Sequence, residues 1–152
     1  MMNVREDALL MISFLCKFRP RSVQAKYAAS YKKAVVNAYK AYYAKDNAQF
    51  GADLYGIAYY FHKRPTELDA DNLSKPIWDA LENVLYENDR RIKLRYAGLF
   101  DIHQPGSVTV LDMNRIPLNV YDDFMKAIDS EDHLIYVEVG KISPRLYNMG
   151  VE

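Results

Sequence analysis

The sequence predicts an α+β fold, a mixed β-sheet flanked by helices, and three observations carry that expectation. Short apolar segments rich in β-branched and aromatic residues recur along the chain. Between them lie segments whose apolar residues fall every three or four positions. The 152 residues are half apolar, enough for one core without staples, so a single domain over residues 1–152 is expected.

Taken in order, Ala8 to Phe18 is apolar and is stopped by Pro20, which predicts a first strand. From Ser22, a candidate N-cap, the positions Val23, Tyr27, Tyr31, Val35, Ala38 and Tyr42 follow helical spacing, so the longest helix is expected to end near Asp46. Leu54 to His62 is aromatic and apolar and is closed by Lys63, Arg64 and Pro65, which predicts a mostly buried strand. Asn72 reads as the N-cap of a second helix, with Pro76 in its first turn. Its apolar stripe of Leu73, Ile77, Ala80, Leu81, Val84 and Leu85 carries it to about Tyr86. Arg91 to Phe100 and Val108 to Met113 read as strands joined by a Gln104-Pro105-Gly106 turn. Pro117 opens a third helix through about Ile128, and Leu134 to Ile142 is the final strand.

Several function classes are excluded early. The apolar stretch from Ala8 to Cys16 is far short of the roughly 20 residues a membrane span needs. It lacks a small-residue cleavage site after it, so no secretory signal is expected. The single cysteine, Cys16, cannot pair within the chain and points to a reducing, cytoplasmic setting. No Gly-rich phosphate loop appears, which argues against a nucleotide cofactor. His62, His103 and His133 are expected to be isolated from one another and match no zinc pattern. Tyr27, Tyr31, Tyr59 and Tyr60 fall at positions that read as core.

Formal net charge is zero, but its distribution is uneven. Residues 1–50 hold nine basic against three acidic side chains, and residues 101–152 hold four against nine. A basic first third is a hint of nucleic-acid binding. Lys26, Lys33 and Lys40 are seven apart and stack in one row along the first helix, where they could meet phosphates; a solvated helix face produces the same row. Arg19 and Arg21, and Arg90 and Arg91 beside Asp89, are further candidates for DNA contact.

The chemistry-bearing segment is Asp69-x-Asp71-Asn72-x-x-Lys75, followed by Asp89. If Leu68 to Asp71 is extended, the two carboxylates point the same way about 6.5–7 Å apart. A helix and a tight return can then bring Asp89 towards them. Three carboxylates are a natural oxygen set for Mg²⁺, which activates water and polarises a phosphodiester. Lys75, in the first turn, can reach phosphoryl oxygens as charge builds there, and the helix N-terminus offers free N–H groups to a phosphate. The same residues also fit ordinary roles: capping for Asp69 and Asn72, an i,i+4 ion pair for Lys75 and Asp79, and a turn position for Asp89.

From Leu68-Asp69-Ala70-Asp71-Asn72-Leu73-Ser74-Lys75, through Asp79-Ala80-Leu81, to Leu85-Tyr86-Glu87-Asn88-Asp89-Arg90-Arg91-Ile92, the chain resembles the signature of the RusA family of Holliday junction resolvases. The resemblance implies Asp69, Asp71 and Asp89 as metal-binding carboxylates, Lys75 as the catalytic lysine and Asp79 as a supporting residue. It implies a RusA-like sheet with flanking helices and Mg²⁺-dependent endonucleolytic cleavage (Mn²⁺ as a substitute) of four-way or branched DNA by paired nicks from a homodimer. Asn88 stands where the family often has the first Asp of an acidic pair, so a fourth carboxylate is absent. The acidic portion from about residue 103, including Asp122, Asp123, Asp129, Glu131 and Asp132, has no assigned counterpart. Two other readings remain beside the nuclease: a junction-binding protein that does not cleave, and a structural interaction protein whose motif only caps a helix.

Overall fold

A computed structural model describes residues 11–22, 25–43 and 51–142. Strand β1 (Met11–Cys16) precedes helix α1 (Ala25–Tyr42), strand β2 (Leu54–His62), helix α2 (Ala70–Ala80), strand β3 (Ile92–Asp101), helix α3 (Leu118–Ser130) and strand β4 (His133–Lys141). The α+β fold expected from the sequence is the one observed. The first-strand positions 8–10, Val23 at the predicted start of α1, and Asp46 at its predicted end lie outside the described residues. No described helix is long and apolar enough to cross a membrane.

The sheet order is β1-β4-β2-β3. β4 runs antiparallel to both β1 and β2, whereas β2 and β3 are parallel and need a crossover, which α2 supplies. Side chains alternate between the two faces of the sheet. On one face Phe14, Ala58, Tyr60, Ile135, Val137 and Val139 pack under α1 and α2, which contribute Val35, Tyr39, Leu73, Ile77 and Trp78. On the other, Leu15, Phe61, Leu134 and Tyr136 pack under α3 through Val120, Phe124 and Ala127.

Gly56 shows how closely α2 sits on the sheet. A Cβ there would lie 2.8 Å from the buried Trp78 ring, so a strand interior that would otherwise favour a side chain carries none.

Three expectations need correcting. Val108 to Met113 is not a strand: Ser107–Val110 is a 3-10 turn entered from Gly106 at φ 78°. Leu111 and Ile116 pack on the second sheet face, so this apolar run is held by burial and not by ladder hydrogen bonds. Tyr27 is not core but 37% exposed, with the Arg21 guanidinium 4.6 Å over its ring. Nor are the histidines all isolated, since His62 and His133 are register partners on β2 and β4, and Tyr60 Oη lies 2.6 Å from His133 Nδ1.

Candidate functional site

The start of α2 differs from the sequence expectation. Asp69 is the N-cap: its extended backbone precedes the helix and its Oδ1 accepts the Asn72 N–H at 2.8 Å. Asn72 is already helical, because Asp69, three residues earlier, takes the cap position and its carboxylate accepts the Asn72 N–H. Asp71 therefore falls in the first turn, where its charge complements the helix dipole, and not on an extended segment beside Asp69. Pro76 lies past the first turn, inside the helix.

Asp71, Lys75 and Asp79 are spaced four apart and so share one stripe of α2. The helix stops at Ala80 and does not reach Tyr86. Asn83 adopts a left-handed φ of 63°, donates its N–H to the Tyr86 carbonyl at 2.7 Å and reverses the chain. The buried Tyr86 hydroxyl then donates to the Trp78 carbonyl at 2.6 Å and ties this return to α2.

The return delivers Asp89 to the flank of α2. Asp89 opens a 3-10 turn over Asp89–Arg91, capped by the Asn88 side chain, which accepts the Arg90 N–H at 2.8 Å. Two residues hold Asp89 by its backbone: Glu82 Oε1 accepts its N–H at 3.1 Å, and Arg95 Nη2 donates to its carbonyl at 2.6 Å. Lys75 Nζ donates to Asp79 Oδ1 at 3.1 Å and to Asp89 Oδ2 at 3.2 Å. Arg95 Nη2 lies 3.6 Å from the same Asp89 oxygen. Carboxylate oxygens of Asp79, Glu82 and Asp89 all lie within 4.8 Å of one another.

The electrostatics follow from this geometry. Hydrogen bonds to Asp79 and then to Asp89 push the Lys75 ammonium above the ordinary lysine range. Burial alone would raise the Asp89 carboxyl, but the Lys75 hydrogen bond and the Lys75 and Arg95 charges outweigh it and hold that acid below the usual range. Asp89 is 16% exposed and Lys75 55%, so the acid is fixed in the fold and the base is on a free stem.

The site residues picked from sequence are thus divided. Lys75 and Asp89 meet, with Asp79 as the third member. Asp69 and Asp71 are at the opposite end of α2 from Asp79; eight residues of helix separate Asp71 from Asp79 by about 12 Å along the axis. Arg91 donates to the Gly51 carbonyl at 2.9 Å, and Arg90 is exposed. Arg95 contacts the Asp89 carboxylate instead. Glu82 and Arg95 are the residues sequence reading missed. Strand alternation on β3 was the available signal for Arg95, and Glu82 offered none without the course of the return.

Lys26, Lys33 and Lys40 are all exposed along α1. A groove of about 400 Å³ lies beside the α2 N-terminus, lined by Arg19, Arg21, Tyr27, Glu67 and Asn72 among others.

A buried carboxylate with its own hydrogen-bond network occupies the other sheet face. Glu138 on β4 is 3% exposed and accepts hydrogen bonds from the Tyr55 and Tyr136 hydroxyls and, at 3.1 Å, from Arg115 Nη2. Arg115 also donates to Tyr55 Oη at 2.9 Å. The acidic C-terminal portion gains structural work as well: Asp123 accepts the Tyr42 hydroxyl at 2.7 Å, and Asp132 pairs with Arg64 at 3.4 Å.

The family model described as Endodeoxyribonuclease RusA matches residues 16–101, from the end of β1 to the end of β3 and more than half of the chain. No curated protein matches it.

Proposed function

The chain belongs to the endodeoxyribonuclease RusA family and is an endonuclease of the Holliday junction resolving type; from that premise we propose that it cuts branched DNA with Mg²⁺, or Mn²⁺ in its place, at a site centred on Asp89 and Lys75. The observation that carries this reading is the Lys75 ammonium seated between the oxygens of Asp79 and Asp89, beside Glu82. An ammonium held there is a stand-in for a cation, and an all-carboxylate set is the donor chemistry that hard divalent ions take, so the residues fit the metal that the family implies.

Asp89 is common to two sets: the assembled cluster with Asp79 and Glu82, and the ligands Asp69, Asp71 and Asp89 that the resemblance implies. In this arrangement the assembled set, Asp79, Glu82 and Asp89, would hold the ion, with Asp69 and Asp71 at the far end of α2. When bound, it would polarise the scissile phosphate and lower the pKa of an attacking water.

The remaining work falls to this chain's own groups. Lys75, on a free four-carbon stem, offers its ammonium to a phosphoryl oxygen as charge develops. Arg95 and Glu82 keep Asp89 in place through its backbone. Asp69 orients the first turn of α2, whose N–H groups favour an approaching phosphate. Arg19 and Arg21 in the groove, the lysine row on α1 (Lys26, Lys33 and Lys40) and exposed Arg90 offer phosphate contacts along a DNA arm, with Arg91 alongside. Two copies acting on opposite strands would give paired nicks.

Incubation with a synthetic four-way junction tests this. Nicking that needs Mg²⁺ and is abolished by Asp89→Asn supports the reading. A retarded but intact junction overturns cleavage in favour of binding alone. Unchanged thermal stability with either metal, together with no junction binding at low salt, favours the helix-cap role.

A further inference from the structure

We propose that Lys75 is the resident counter-cation of the Asp79 and Asp89 carboxylates, and that a divalent ion enters by displacing it, which frees the lysine for substrate phosphate. This rests on the reading of Asp89 as a metal ligand.

The geometry makes the two cations competitors. Lys75 Nζ is within 3.2 Å of one oxygen on each acid. An oxygen of each acid also lies within 4.8 Å of one of Glu82, a little wider than the about 4.2 Å that a shell of radius about 2.1 Å spans. A divalent ion bound at about 2.1 Å between the same acids competes for the lone pairs that the ammonium now uses, and it repels a positive charge one shell away. Both cannot stay.

The two sides of the pair are built differently, and that decides which one moves. Asp89 is held by Glu82 at its N–H and by Arg95 at its carbonyl, contacts that do not involve the lysine. Lys75 is held on the helix surface, where, among the described residues, its Nζ bonds to the two acids. Its stem has rotatable methylenes and is more than half exposed, so the ammonium can swing outward into solvent. The exchange leaves a fixed acid for the ion and a mobile cation beside it. Without metal, the lysine neutralises carboxylates that would otherwise repel each other; with metal, it becomes available to the substrate. Metal binding therefore precedes productive use of Lys75.

Metal affinity without DNA reads this out. Calorimetric titration of the full chain with Mn²⁺, and with Mg²⁺, compares wild type with Lys75→Gln, with circular dichroism to show that both are folded. Removing the competing cation is expected to tighten binding about tenfold, equivalent to about 1.4 kcal/mol. Lys75→Arg, which keeps a cation at the position, binds no tighter than wild type. Lys126→Gln on α3 makes the same change in net charge on the other sheet face and leaves affinity within about twofold. Equal or weaker binding by Lys75→Gln overturns the exchange and leaves the nuclease reading standing. Tightening by Lys126→Gln as large as that by Lys75→Gln also overturns it. If neither wild type nor Lys75→Gln binds either metal at millimolar concentration, both the exchange and the metal reading fall.

Discussion

Two carboxylate sites on opposite sides of one sheet have been built for different ends. Glu138 is sealed in, and its partners are two buried tyrosine hydroxyls from β2 and β4 and the guanidinium of the half-exposed Arg115. Asp89 sits near the surface with a lysine that can leave. A buried charge is tolerated only when its hydrogen bonds are filled, and a filled set has no vacancy for a ligand. An exposed cluster contributes little to stability and is free to exchange partners. The difference fits an architectural part for Glu138, locking the loop that carries Arg115 onto the sheet, and the chemical part proposed for the Asp89 cluster. The family match agrees in extent, since it includes Asp89 and ends before Arg115 and Glu138.

The largest stability effect is expected at Glu138. Glu138→Ala strands two buried tyrosine hydroxyls and an arginine, and urea denaturation is expected to show a loss of about 3–5 kcal/mol. A loss under about 1 kcal/mol would erase the contrast between the two sites. Next is Gly56→Ala beneath α2, where the added methyl meets a Trp78 ring that cannot retreat; overpacking there is expected to cost about 1–3 kcal/mol by the same measurement. Lys75→Gln is expected to change stability by less than about 1 kcal/mol, because both its ion pairs are at the surface. The same variant is expected to lose most junction cleavage.

The smallest effect is the pH dependence of that exposed pair. Asp89 titrates below its unfolded value, so its contribution is present above about pH 4 and is lost as pH falls through the folded value. Lys75 titrates above its unfolded value, so its contribution is full below about pH 10 and is lost as pH rises through the folded value. The stability difference between wild type and Lys75→Gln is thus expected to be flat between about pH 5 and 9 and to shrink at both ends. A difference that persists unchanged at pH 2 would exclude the ion pair as its source.

Much of this was legible in the sequence where local pattern and tertiary packing agree. The apolar period of α1 and α3 and the aromatic run of β2 each became the expected element, because the same residues that set the pattern form the core. The misses arise where a local signal had a competitor. Asp69 and Asn72 are both good caps, and the choice between them moved Asp71 from an extended segment into the first turn of a helix. The β-branched run at Val108 looked like a strand, yet it packs its side chains on the sheet without pairing. Glu82 and Arg95 touch Asp89 only because Asn83 reverses the chain and β3 returns beside β2, a placement no local pattern encodes. The Lys75, Asp79 and Asp89 contact was half legible: the i,i+4 pair is local, but the arrival of Asp89 is not.

The most direct test sets the two sites against each other on one substrate. A synthetic four-way junction with Mg²⁺ is incubated with wild type, Asp89→Asn and Glu138→Gln, each shown to be folded by circular dichroism. Nicking by wild type and by Glu138→Gln, with at least a hundredfold loss in Asp89→Asn, is the expected result. Nicking that survives in Asp89→Asn but disappears in folded Glu138→Gln would reverse the assignment of the two faces.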